Sequence, residues 1–190
     1  MINFVRIPKN ASTSIYYHIT DMNTISNEKT NSLKDTKYLK GMPTSHCTLS
    51  QAVEIMGKQI LENPTFAVCR NPYDRMVSMY HNALKEKHNE KFGGTNFEQF
   101  VDFCMNEDTI ASLSQSDYLD LDIYVDILRF ENLQKDWKTF LIKHKITINP
   151  RLPHKHKSNR KDWKSYYNTS IKEKVAQLWR KDFTRFNYAL

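Results

Sequence analysis

Glycine is scarce in this chain of 190 residues, with four in all, and proline adds only six. That excludes a collagen-like or low-complexity chain, which needs far more of both. Three cysteines, Cys47, Cys69 and Cys104, are too few and too scattered for a disulfide framework or a CxxC zinc site, and a reducing compartment is the simpler setting. The seven histidines form no HExxH pattern, and His154-Lys155-His156 alone is a poor metal signature, so no metal is expected. No apolar run approaches the roughly 20 residues needed to cross a bilayer, and the start of the chain lacks a signal-peptide layout. The expectation is a soluble, cytoplasmic protein without a membrane anchor. The phosphate-loop pattern GxxxxGK[ST] is absent too, and no internal repeat is present.

The remaining composition is that of a folded globular protein, 39% hydrophobic and 12% aromatic. Its length suits one domain over residues 1–190. The formal net charge is +7, and it is concentrated: Arg151 to Lys164 holds six basic residues (Arg151, Lys155, Lys157, Arg160, Lys161, Lys164) against one acid, Asp162. A local patch of this kind either meets an anionic ligand or is a solvated loop that aids solubility.

Three stretches read as strands: Ile2 to Ile7, ended by Pro8; Thr65 to Cys69; and Tyr124 to Phe130. Helical spacing follows each. Ile15 to Ile19 comes after the first, Met76, Val77, Tyr80 and Leu84 after the second, and Leu133 to His144, with Trp137, Phe140 and Leu141 inward, after the third. Further helices are announced by Thr48-x-x-Gln51, by Asn96 ahead of Phe97, Phe100, Val101 and Cys104, and by Ser170-x-x-Glu173 ahead of a last helix. Asp21 to Lys40 is polar throughout and reads as a mobile connection, and Lys85 to Thr95, with Gly93-Gly94, reads as a loop. Strands alternating with helices predict an α/β protein with a mostly parallel central sheet covered on both faces, a three-layer sandwich.

Two strand ends draw attention, because ligands of parallel sheets bind there. After the first strand, Lys9-Asn10-Ala11-Ser12-Thr13-Ser14 offers one lysine, hydroxyls and the amides of a helix start, a phosphate-sized site or an ordinary N-cap region. After the second, Arg70 precedes a helix opened by Pro72 and carrying Ser78 about two turns in. Arg70 and Arg75 either pair with Asp74 and neighbouring carboxylates or present a guanidinium fork to a phosphate. His46, in a loop just before the Thr48 cap, is either a surface residue or a general base.

Taken together, Ile7-Pro8-Lys9-Asn10-Ala11-Ser12-Thr13-Ser14 resembles the 5′-phosphosulfate loop of sulfotransferases, and Arg70-Asn71-Pro72-Tyr73-Asp74-Arg75-Met76-Val77-Ser78-Met79-Tyr80 resembles their 3′-phosphate segment, R-x-P-x-x-R-x-x-S-x-Y, at every defined position. The likeness extends to Gln115-Ser116-Asp117-Tyr118, to Leu128 through Leu133 and to Asp182-Phe183-x-x-Phe186-Asn187-Tyr188, and is strongest to the carbohydrate sulfotransferases, including those acting on heparan and chondroitin. It implies a core similar to that of the P-loop nucleotide kinases and transfer of a sulfuryl group from 3′-phosphoadenosine 5′-phosphosulfate to an acceptor hydroxyl, with adenosine 3′,5′-bisphosphate as product and no metal in the chemistry. By resemblance Lys9 holds the 5′-phosphate and the bridging oxygen, Asn10, Ala11, Ser12, Thr13 and Ser14 complete the cradle, and Arg70 and Ser78 grip the 3′-phosphate. His46-Cys47-Thr48-Leu49-Ser50 resembles the histidine segment of uronyl 2-O-sulfotransferases, which implies His46 as the base; His18, Glu54 and Glu28 are its rivals. Asn-Ala stands in the phosphosulfate loop where many relatives carry glycine.

The expected acceptor is a glycan, and nucleic acid is not the expected partner. The competing reading is a non-catalytic binder of nucleic acid or anionic polysaccharide on the same fold, stacking ligands on Trp163, Tyr166 and Tyr167 beside the basic residues. A nucleotide kinase is disfavoured by the missing phosphate-loop pattern.

Overall fold

The computed structural model describes residues 2–21, 30–32, 46–85, 92, 94–152 and 160–190. These fall into two compact units, Met1–Cys69 with Asp117–His156 and Arg70–Ser116 with Lys157–Leu190.

The first unit is built on a parallel sheet of β1 (Ile2–Val5), β2 (Thr30–Ser32), β3 (Thr65–Cys69) and β4 (Asp126–Arg129), in the order β2-β1-β3-β4. Phe4 pairs with Phe66, and Cys69 with Arg129. β3 is buried along its whole length, which explains its unbroken apolar run in place of an alternating one. Helices α1 (Ser12–Asp21), α2 (Leu49–Met56) and α5 (Leu133–Lys143) belong to the same unit. Phe4 and Phe66 stack with ring centres 4.6 Å apart, and Phe140 meets Phe66 at 4.7 Å. Asn3, buried in β1, donates Nδ2 to the Ile60 carbonyl at 2.6 Å and to Thr65 Oγ1 at 3.0 Å, so its side-chain nitrogen stays hydrogen-bonded inside.

The α/β class and the parallel sheet agree with the expectation, and several details do not, among them β4, which is shorter than the Tyr124–Phe130 stretch read as a strand. β1 stops at Val5, before Pro8, because the Ile7 amide turns back onto the Val5 carbonyl at 3.1 Å. Within the stretch read as a connection, Thr30–Ser32 pairs in register with Ile2, Asn3 and Phe4 as an edge strand. Thr-Asn-Ser has no apolar alternation to betray it. Asp21, at the start of that stretch, ends α1, and the rest of the connection lies outside the described residues, as do Gly93 and half of the basic segment.

The second unit is helical: α3 (Pro72–Ala83), α4 (Phe97–Asn106), α6 (Thr169–Leu178) and α7 (Arg180–Arg185) surround a core that includes Met76, Val77, Phe100, Val101, Val175 and Trp179. Asn71 caps α3, accepting from the Tyr73 amide at 2.9 Å with Pro72 in the first turn, and Asn96 forms a reciprocal capping box with Gln99. α6 starts two residues earlier than its sequence signal. Asn168, in extended backbone, accepts from the Ile171 amide at 2.8 Å and takes the capping role expected of Ser170.

Candidate active site

In the first unit, the turn from β1 to α1 contains Lys9 at φ 66° and Ala11 at φ 58°. Left-handed backbone costs a non-glycine residue about 1–2 kcal/mol, and such costs persist where the surroundings over-determine the conformation. Asn10, between them, is 1% exposed and donates Nδ2 to the Val68 carbonyl at 2.7 Å, which pins the turn to β3 two residues before Arg70. The left-handed backbone that glycine would adopt without strain is therefore formed here without glycine. Ser12 is buried at the helix start, Lys9 and Ser14 are half-buried, and Thr13 is exposed.

The same strand end organises His46. Its Nδ1 lies 2.6 Å from the Arg6 carbonyl. A carbonyl only accepts, so Nδ1 carries the proton and the neutral ring keeps its lone pair on Nε2. Arg6 itself is buried, with its guanidinium 4.5 Å over the Tyr16 ring. The segment after His46 is fastened twice. Thr48 and Gln51 close their capping box, with the Thr48 amide 3.0 Å from Gln51 Oε1, and Ser50 donates its amide to Asp120 Oδ1 at 2.9 Å and its hydroxyl to Asp120 Oδ2. Partial burial works against the Asp120 charge, but the Ser50 hydroxyl and amide prevail and hold its carboxyl below the ordinary value. Burial pushes the neighbouring Cys47 thiol up, which disfavours a thiolate nucleophile beside His46.

The rivals of His46 are placed differently. His18 is buried, edge-on to Trp137, and donates Nε2–H to the Asn149 carbonyl at 2.9 Å, a packing arrangement. Glu54 is exposed on α2, and Glu28 lies outside the described residues.

In the second unit, Arg70 is 7% exposed and directs Nε and Nη2 to Asp74 Oδ2 at 2.8 and 2.7 Å. Arg160 reaches the other oxygen of Asp74, so one carboxylate is shared by two guanidinium groups and the cluster keeps a net positive charge. Arg75, read beside Arg70 as a partner for surface carboxylates, is instead fully buried. It donates to the Leu113 carbonyl at 3.0 Å and lies 4.4 Å over the Trp179 ring. Ser78 is half-exposed on α3, and Tyr80 donates its hydroxyl to the Thr95 carbonyl at 3.0 Å.

Sequence reasoning gave no role to Arg6, Asp120, Gln115 or Asp182. Gln115 and Asp182 fall in stretches that carried the family likeness, and that likeness was the only signal available for them. Among the described residues no group of histidine, cysteine, aspartate or glutamate could hold a metal ion, none of the three cysteines is in a disulfide, and no helix is long and apolar enough to cross a membrane. The sequence profile of the sulfotransferase family matches residues 1–189. The chain belongs to that family. No curated protein and no solved structure gives a significant match. For a sulfotransferase the reaction class is sulfuryl transfer.

Proposed function

We propose that this sulfotransferase moves a sulfuryl group from 3′-phosphoadenosine 5′-phosphosulfate to an acceptor hydroxyl, with a carbohydrate as the acceptor class. The observation that carries this reading is the Asn10 bond to Val68, which ties the Lys9 loop to β3 one residue before that strand ends at Cys69. β1 and β3 are parallel neighbours, and the carboxyl ends of such strands are where ligands of α/β sheets bind. In this reading Lys9 and the Asn10–Ser14 loop receive the 5′-phosphosulfate, and Arg70 and Ser78 the 3′-phosphate. The acceptor oxygen attacks sulfur in line, the bond from sulfur to the bridging oxygen breaks, and the electron pair stays on the departing phosphate. Lys9 offsets the charge that develops there, the kind of interaction from which catalysis gains most. His46 Nε2 takes the acceptor proton, with its ring aimed by the bond from Nδ1 to the Arg6 carbonyl.

The same reading makes residues 1–190 one sulfotransferase domain, a three-layer sandwich akin to the P-loop nucleotide kinases, and a cytoplasmic protein whose chemistry needs no metal. Arg160 brings the basic segment to the carboxylate that Arg70 uses, which supports a role for that segment beside the nucleotide. The non-catalytic binding reading loses support at its stacking platform. Trp163 stacks on Tyr73 with ring centres 5.7 Å apart, Tyr166 OH lies 2.7 Å from His81 Nε2, and Tyr167 donates to the Tyr73 carbonyl. These three rings are engaged inside the second unit.

Calorimetric titration with adenosine 3′,5′-bisphosphate tests the donor assignment. Saturable binding at micromolar concentration is expected, and absence of heat at high micromolar concentration overturns it. A screen with labelled donor across glycans, phenols and tyrosine peptides then tests the carbohydrate assignment, with label on glycans alone as the expected result.

A further inference from the structure

Arg70 is the first residue beyond the β3 ladder, and one carboxamide bonds to both polar groups of its backbone. Gln115, with no solvent exposure, accepts from the Arg70 amide at 2.8 Å and donates Nε2 to the Arg70 carbonyl at 2.9 Å. Gln115 is itself held by a buried charge. Asp182, also without exposure, takes the Gln115 amide on Oδ2 at 2.8 Å and both the amide and hydroxyl of Ser116 on Oδ1 at 2.8 Å. Arg185 adds a bond to the Ser116 carbonyl at 3.3 Å.

We infer that Gln115 and Asp182 are positioning residues for the 3′-phosphate, acting through the backbone of Arg70; the inference rests on the donor assignment above. Burying a carboxylate is expensive, and a well-packed apolar residue would often hold two segments together as firmly. The preceding stretch already has other anchors, since Trp179 Nε1 donates to the Ser112 carbonyl at 2.8 Å and Arg75 to the Leu113 carbonyl at 3.0 Å. What the carboxylate adds is direction. Two main-chain amides on two oxygens fix the orientation of residues 115 and 116, and the Gln115 side chain passes that orientation to the residue whose guanidinium meets the phosphate.

The test measures, by calorimetry on the full chain, the affinity ratio of adenosine 3′,5′-bisphosphate to adenosine 5′-phosphate, which isolates the share of binding due to the 3′-phosphate. Gln115→Met keeps the side-chain volume and removes both bonds to Arg70. Asp182→Asn keeps one acceptor and turns an amino group toward the other amide. Each is expected to lower the ratio about tenfold while binding of the 5′-phosphate alone changes little, since small misplacements of a binding group are costly. Should either variant fail to fold, Ser116→Ala, which removes one of the three bonds to Asp182, carries the test with a smaller fall in the ratio. An unchanged ratio, or equal loss for both nucleotides, overturns the inference. A wild-type chain that does not discriminate between the two nucleotides overturns the donor assignment itself.

Discussion

Arg70 and Arg75 differ in what surrounds the guanidinium. Arg70 keeps a carboxylate partner that it shares with Arg160, so losing its side chain leaves Asp74 still paired. Arg70→Ala is therefore expected to weaken adenosine 3′,5′-bisphosphate binding by roughly 1.5–3 kcal/mol, the usual value of a hydrogen bond to a charged group, with little change in the urea midpoint. Arg75→Ala is expected to do the reverse. It removes a wholly buried side chain from between Leu113 and Trp179, and a stability loss of about 3 kcal/mol should appear in urea unfolding. Equal effects of the two substitutions would contradict both assignments. The two residues are alike in the motif, and the sequence could pair Arg70 with Asp74 because they lie one helical turn apart. It could not show the task of Arg75, whose ring partner is more than 100 positions away. His46 stands out in the sequence for a local reason, its place before a cap, whereas the carbonyl beside its ring belongs to a distant strand end. His46→Ala should retain nucleotide affinity and lose about 10²–10⁴-fold in turnover, the ordinary contribution of a general base, as read in a labelled-sulfate assay.

At the scale of elements, the helices with local start signals were readable: Thr48 with Gln51, Pro72 in the first turn of α3 and Asn96 ahead of α4 all stand where their spacing implies. β2 was not, because an edge strand of Thr, Asn and Ser is held by backbone pairing with β1 and leaves no apolar period. α7, six residues long and separated from α6 only by Trp179, was likewise hidden behind its neighbour. α3 carries a consequence for acid conditions. His81, in its last turn, lies 2.7 Å from Tyr166 OH, and burial, with Arg160 and Lys85 nearby, lowers its pKa from the ordinary 6.5. The unfolded chain then binds a proton that the folded chain resists, so stability falls as pH drops below 6.5 toward the lowered folded value. Denaturant midpoints at pH 7.5 and 5.0 should show this slope, and His81→Gln should reduce it. An identical slope in the variant would assign the acid sensitivity to other groups. Asp126, by contrast, is held below its ordinary 3.8 despite burial by Lys143, His144 and Tyr124, so its contribution survives until far lower pH.

For the whole molecule, the alternation of strand and helix made the parallel α/β class legible, since each of β1, β3 and β4 leads into a helix within a few residues. The partition into two compact units was invisible, because composition does not change at residues 69–70 or 116–117 and each unit draws on two separated stretches. The concentration of charge in Arg151–Lys164 was readable, but only its end at Arg160 to Lys164 and its start at Arg151 and Leu152 are described, and of these Arg160 alone reaches the Asp74 cluster. The interleaving of the two units also governs how the chain is made. β3 pairs with β4 across the whole of residues 70–125, a long loop to close before the sheet gains its fourth strand, and Asp182 must be present before Gln115 has its anchor. While residues beyond 116 are still to be made, neither core is complete, because each unit draws on residues from both sides of that point.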